Sequence, residues 1–377
     1  MIKQEINEIK RLYTPNNCSV TRICGCYVDG EKNKKTEFKE AFLSLPEEEI
    51  FKYFELFRKT LSGNIGKNLL NLEFPMDSEA QGGSHDLLLR LRDSKLKDDA
   101  LLEEFYDRII ASYEFVGNYL IVLIHDAYDV PGQTTDGLTM EDASDTVFEY
   151  IMCCICPVAL SKPGLSYDAR SNEFHNRIRD WVVNMPESGF LFPAFNDRSA
   201  DIHSTLYYSK NCEEPHPEFS DGILGCSLPL SAGGQKETFH AIIEETLGDD
   251  CEYEVVKNIH ENLTEMLEEH KEIPEPLTLN KKEVKQLLKK SGVEDEKLSD
   301  FDQLYDAAAG EDTALYVSNV ANTRTFEVKT PDVVVKVNPE RADLVNTMIV
   351  DGKRCLVIEI NDQVEVNGIN VKESPIR

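Results

Sequence analysis

The segment Tyr119-Leu-Ile-Val-Leu-Ile124 constrains this chain more than any other. A run with no polar residue on either side of the pleat must be covered on both faces, so it predicts a buried central strand. Phe148 to Leu160 predicts a second buried segment, broken by Pro157. Both have strand length, well short of the roughly 20 apolar residues that cross a bilayer, so no membrane partner is expected. The covering layers show as helical periodicity. Ile50, Phe51, Phe54, Phe57 and Leu61 share one face between a start at Ser44-Leu-Pro-Glu47 and a stop at Gly63. Leu101, Leu102, Phe105, Ile109 and Ile110 do the same between Asp98 and Ser112. Such stripes are core before they are cofactor sites. Phe174 to Val183, with the single tryptophan Trp181, is also expected to be helical. Phe190 to Phe195 and Ile202 to Tyr208 are expected to be strands.

Charge narrows the partners. The chain carries 69 acidic and 40 basic residues, a net −29, with most of the excess before Leu279. That field repels phosphate polymers unless a basic patch is segregated from it, so nucleic acid is disfavoured as a partner without being excluded. Plain solvation accounts for the rest. The N-terminus has apolar residues only at helical spacing, Ile2, Ile6 and Ile9, and lacks a secretory core; a cytoplasmic location is expected. The ten cysteines are then reduced thiols, mainly small core residues.

The best linker is Ile273-Pro-Glu-Pro276. It predicts a main mixed α/β domain over 1–272, with a subdivision near 115–135 left open, a linker over 273–279, and a small α+β domain over 280–377. Asn280-Lys-Lys-Glu283 is a capping-box start for the first of two helices reaching about Ala309. Short strands follow, with tight turns at Asp351-Gly352 and Asn367-Gly368. The fold class expected is α+β: a mixed sheet with helices on its faces, then a helix pair with a β-rich tail.

Five segments carry a specific likeness: Arg22-Ile-Cys-Gly-Cys-Tyr-Val-Asp-Gly-Glu31, Leu191-Phe-Pro-Ala-Phe-Asn-Asp-Arg198, His203-Ser-Thr-Leu-Tyr-Tyr208, Pro229-Leu-Ser-Ala-Gly-Gly-Gln-Lys-Glu-Thr238 and Asp362-Gln-Val-Glu-Val-Asn-Gly368. They resemble, over the full length, a family of uncharacterised proteins of Gram-positive, Clostridia-type bacteria known as domain of unknown function 4317. The resemblance implies a bacterial cytosolic origin and no activity. In layout alone, a helical start, an apolar strand and a small β-rich end, the chain is similar to acidic nucleoid-associated proteins, an analogy of fold.

Three groups of residues are candidate sites. Cys24 with Cys26, and Cys154 with Cys156, each share a strand face. Two such strands facing each other would offer four thiolates to a soft metal, although the spacing is not that of a zinc knuckle, and buried thiols are the simpler reading. Gly233 and Gly234, with Lys236 and Thr238, precede a helix and could cradle an anion or merely turn the chain. Gly63-Asn-Ile-Gly-Lys67 is a weaker case of the same kind. His125, Asp126 and Asp129 beyond one strand, and Asn196, Asp197, Arg198, Asp201 and His203 between two others, combine imidazole and carboxylate at strand ends, where α/β sites tend to sit. The same residues also cap turns and pair with one another. No dinucleotide, zinc-protease or serine-nucleophile signature is present, and the sequence assigns no cofactor.

The function expected is that of a cytosolic accessory or regulatory binding protein, able to form a homo-oligomer. One alternative is a metal- or phosphate-dependent enzyme built on the Asp/His cluster. Another is a nucleoid-associated protein gripping DNA through Lys281, Lys282, Lys285, Lys289 and Lys290.

Overall fold

The computed structural model describes residues 1–133, 139–248, 251–322, 324–360 and 364–371. It divides into two compact units, one of residues 1–233 with 274–276, the other of residues 234–273 and from Leu277 onward.

The first unit is built on α1 (Lys3–Lys10), β1 (Val20–Val28), β2 (Lys34–Ala41), α2 (Glu47–Thr60), β3 (Leu69–Glu73), α3 (Ser84–Asp93), α4 (Asp99–Ser112), β4 (Asn118–Gln133) and β5 (Thr139–Leu160). Then come β6 (Leu165–Asp168), β7 (Glu173–Asn176), β8 (Trp181–Val183), β9 (Ser188–Phe192), β10 (Ala194–Asn196), β11 (Ser199–Asp201), β12 (Ser204–Ser209) and α5 (Pro217–Phe219). The main sheet has the order β2-β1-β4-β5-β9-β12-β3, with β8 pairing the end of β5. The α+β class is as expected, but the sheet is not mixed: its ladders are antiparallel. Neighbours β1–β2 and β4–β5 follow each other as hairpins, which need no crossover helix, whereas parallel pairing would.

The run Tyr119–Ile124 lies inside β4, between β1 and β5, and both its faces are buried. Phe42, Phe54, Phe57, Val122, Ile124 and Met152 belong to the core on one face. Leu88, Phe105, Ile109, Ile121, Leu123 and Phe190 form the core on the other. Beyond Ile124 the strand does not stop: β4 runs on to Gln133, pairing His125 with Ile151, Asp126 with Tyr150 and Asp129 with Val147. Two extended segments already in register keep adding ladder bonds, so polar residues join the strand. Asp136 and Gly137, which the sequence places in a polar loop after this strand, lie outside the described residues.

Phe174–Val183 is not helical. Glu173–Asn176 pairs with β6, and Trp181–Val183 with Val158–Leu160. Phe174, Ile178 and Trp181 stay exposed, so their helix-like spacing marks no buried face, and strand pairing decides the local structure.

The second unit contains α6 (Ala232–Leu247, whose first two residues belong to the first unit), α7 (Tyr253–Glu269), β13 (Thr278–Leu279), α8 (Lys281–Lys290), α9 (Phe301–Ala309), β14 (Leu315–Tyr316) and α10 (Val317–Val320). Three hairpins follow: β15 (Phe326–Lys329) with β16 (Val334–Val337), β17 (Val345–Val350) with β18 (Lys353–Ile358), and β19 (Val364–Val366) with β20 (Ile369–Val371). Asp351-Gly352 and Asn367-Gly368 both take positive φ, as a two-residue hairpin turn of this composition requires. Asn280 and Glu283 form the capping box. The unit begins earlier than the prolines suggest. Phe239, Ile242, Ile259 and Leu263 of α6 and α7 share one core with Leu279, Val284, Leu288, Phe301 and Tyr305. Composition marks Pro274 and Pro276 as a break, yet the apolar faces on either side of them need each other.

Candidate functional site

The strand-end constellation is taken apart by the period of the sheet. Adjacent residues of β4 point to opposite faces. His125 is fully buried on one. Thr21 Oγ1 donates to the His125 carbonyl at 3.1 Å, so the hydrogen-bond network assigns Nδ1–H as donor to Thr21 Oγ1 at 2.8 Å. Nε2 is left as a bare lone pair, 3.9 Å from Glu149 Oε2. Burial pushes the imidazole down to about 4, against the opposing pull of Glu149. Asp126, also fully buried, lies on the other face. Its Oδ2 accepts Tyr150 Oη–H at 2.7 Å, its Oδ1 accepts the Ala127 N–H at 2.8 Å, and Tyr13 Oη lies 2.9 Å from Tyr150 Oη. Burial holds the Asp126 carboxyl above its ordinary range.

The other half of the constellation is a tight hairpin. Asp197 and Arg198, both at positive φ, turn β10 into β11. Arg198 donates through Nε and Nη2 to Glu8 at 3.2 and 2.9 Å, and through Nη2 to the Pro131 carbonyl at 3.0 Å. Burial would raise the Asp201 carboxyl, but hydrogen bonds from Ser204, Asn196 and the His203 amide hold it below its ordinary range. His203 stacks on His85, with ring centroids 6.4 Å apart. These side chains therefore secure a turn and a helix contact. They do not converge with His125 or Asp126 on one open site.

The cysteine pairs also face away from each other. Cys24 and Cys26 lie in one core, Cys154 and Cys156 in the other, and β4 separates their strands. Burial pushes Cys24 up to about 11 and Cys154 to about 12, so these thiols are protonated and poor nucleophiles at neutral pH.

Gly233 and Gly234 are in the first turn of α6 instead of a loop ahead of it. The carboxylate of Glu213 already lies against Gly233, and Ser231 Oγ donates to it at 3.4 Å. An internal anion thus serves this helix start. Thr238 is half-buried further along the helix. Lys236 is different: it reaches a cleft of about 560 Å³ within the second unit, between α6, α7 and the β15 hairpin. His240, Lys257, His260, Phe326 and Lys329 line it too, with Glu261 and Glu327 as its acidic members. Lys257 is 7% exposed, yet among the described residues its ammonium donates to neutral acceptors, Asn346 Oδ1 at 3.0 Å and the Val345 carbonyl at 3.4 Å. Among the described residues, neither Lys257 nor Lys236 forms an ion pair. Burial, then Lys236, lowers His240; burial, then His240 and Lys236, lowers His260. Both rings are therefore neutral at physiological pH. Sequence reasoning reached Lys236 and missed the others, because His240, Lys257 and His260 read simply as polar positions of amphipathic helices.

The lysine row of α8 is largely answered from within the unit. Lys281 pairs with Asp306 at 2.7 Å, Lys285 with Asp302 at 3.1 Å, Lys289 with Asp295 at 2.5 Å and Lys290 with Glu265 at 2.9 Å. No helix among the described residues is long and apolar enough to cross a membrane.

The family model for a domain of unknown function, DUF4317, matches residues 1–369. The chain belongs to the DUF4317 family. That match covers both units, so the DUF4317 family model takes in the cleft together with the sheet. No curated protein matches the chain.

Proposed function

We propose that this chain is an accessory or regulatory binding protein of the bacterial cytoplasm, and that it takes a small phosphate-bearing anion in the cleft of its second unit. The observation that carries the reading is Lys257: a buried ammonium without a carboxylate partner among the described residues, at a cleft that also holds Lys236, His240 and His260. A buried charge without a counter-charge is costly, and a bound anion removes that cost. Tyr253 and Phe326, 6.4 Å apart, supply an apolar wall for the non-ionic part of the ligand. Ten free cysteines support a reducing compartment. The dispersal of His125, Asp126, Asp197 and His203 favours binding over catalysis.

The test is calorimetric titration of the full chain with pyrophosphate and with ATP, beside Lys257→Met and Lys236→Ala. Each substitution is expected to weaken binding about tenfold or more, as loss of a charge-assisted contact does. An anion raises the depressed pKa of both histidines, so affinity should rise as pH falls toward 6. Saturable binding of neither probe at millimolar concentration refutes the reading.

A further inference from the structure

The ribbon formed by β6 and β7, with the strand β8 beyond it, exposes apolar surface that nothing among the described residues covers. Tyr167 pairs with Phe174 and Leu165 with Asn176, so Leu165, Tyr167 and Phe174 share one face; Ser166, Asp168, Glu173 and His175 take the other. The Tyr167 and Phe174 rings touch across the ribbon at 5.4 Å. Phe174 is 71% exposed, Ile178 81% and the single tryptophan, Trp181, 57%. The sequence predicts a helix over Phe174 to Val183, which overlaps the second strand of this ribbon. The structure makes it a two-stranded ribbon, which is marginal in water unless a further layer packs on it. A contiguous apolar face of this kind marks an interaction surface.

Charge selects the occupant. Between Ser161 and Met185 there are four basic residues, Lys162, Arg170, Arg177 and Arg179, and three acidic ones, Asp168, Glu173 and Asp180, a net +1. The whole chain is −29, so the remainder is −30. Two such chains repel over most of their surface, and a contact between them is least opposed where cations lie at the seam. The segment that exposes its aromatic face is also the one with a basic excess. We infer that this ribbon is a homotypic interface: its Leu165–Tyr167–Phe174 face packs on a second copy of this chain, with Arg170, Arg177 and Arg179 at the rim against the partner's acidic surface.

The experiment is sedimentation velocity on the full chain over a dilution series, with Trp181 emission recorded on the same samples. The expected result is a dimer at micromolar concentration that dissociates on dilution, with Trp181 emission moving to the red as it does. Tyr167→Ser combined with Phe174→Ser should weaken association by about 100-fold or more, as loss of two aromatic anchors does. Arg177→Glu with Arg179→Glu should weaken it too, by less at high salt. Unchanged melting of the buried sheet in each variant shows that the fold is retained. Three results overturn the inference. One is a monomer at every concentration with water-exposed Trp181 emission. Another is a dimer indifferent to the substitutions. The last is a monomer whose Trp181 emission changes on adding a single-stranded oligonucleotide, which would assign the ribbon to nucleic acid.

Discussion

Acid should unfold the first unit partly through one ring. His125 is fully buried in β4, its Nε2 is without a hydrogen-bond partner among the described residues, and burial lowers it from an ordinary 6.5 to about 4. The sign follows from linkage. With the folded pKa depressed, the unfolded chain binds the proton first, so stability is full above about pH 6.5 and is lost as pH falls toward 4. The whole displacement corresponds to about 3 kcal/mol, most of which has gone at pH 4.5. Urea titrations of the wild type and His125→Asn across pH 7.5 to 4.5 isolate this contribution, because the carboxylates titrate alike in both. Asparagine keeps an N–H for Thr21 Oγ1 and cannot protonate. The variant is expected to start less stable and to lose less, its curve shallower by about one proton, ~1.4 kcal/mol per pH unit, between pH 6 and 4.5. Parallel curves would refute the assignment of a neutral buried imidazole, and so would an NMR titration of His125 near 6.5.

The remaining predictions concern packing, thiols and the domain boundary. A Cβ at Gly189 would strike the Cys153 carbonyl of the paired strand and stand 2.9 Å from Thr60 Cγ2, so Gly189→Ala should cost about 2–3 kcal/mol in denaturant unfolding; a neutral effect would refute the close approach of β5 and β9. Cys24, Cys26, Cys153, Cys154, Cys156 and Cys226 are buried and Cys251 is exposed, so a thiol reagent followed by mass mapping should mark Cys251 first and the buried six only on unfolding; rapid labelling of Cys153 would contradict the core. A fragment from Gly234 to Arg377 should melt cooperatively, whereas one from Asn280 onward, lacking Phe239, Ile242, Ile259 and Leu263, should not; a cooperative transition in the shorter fragment, followed by circular dichroism, would return the boundary to the prolines.

Local chemistry carried much of the architecture. Tyr119–Ile124 is apolar at every position, so it had to lie between two layers, and the α2 and α4 stripes are spaced to form those layers. Asn280 with Glu283, and the Asp-Gly and Asn-Gly turns, satisfy backbone groups within a few residues, so their outcome needs no partner from elsewhere. Everything that depends on which residues meet from afar was decided by tertiary structure. His125 and Asp126 are neighbours in the chain, and the pleat sends them to opposite cores. Cys24 and Cys26 fall on the far side of the sheet from Cys154 and Cys156 because β4 lies between their strands and sets the register of both. Phe174–Val183 has helical spacing but finds strand partners. Lys236, His240, Lys257 and His260 come together only because α6 and α7 bury their apolar faces in one core, which turns these polar positions toward a common cleft. Periodicity reports the face on which a residue lies; only packing reports what that face meets.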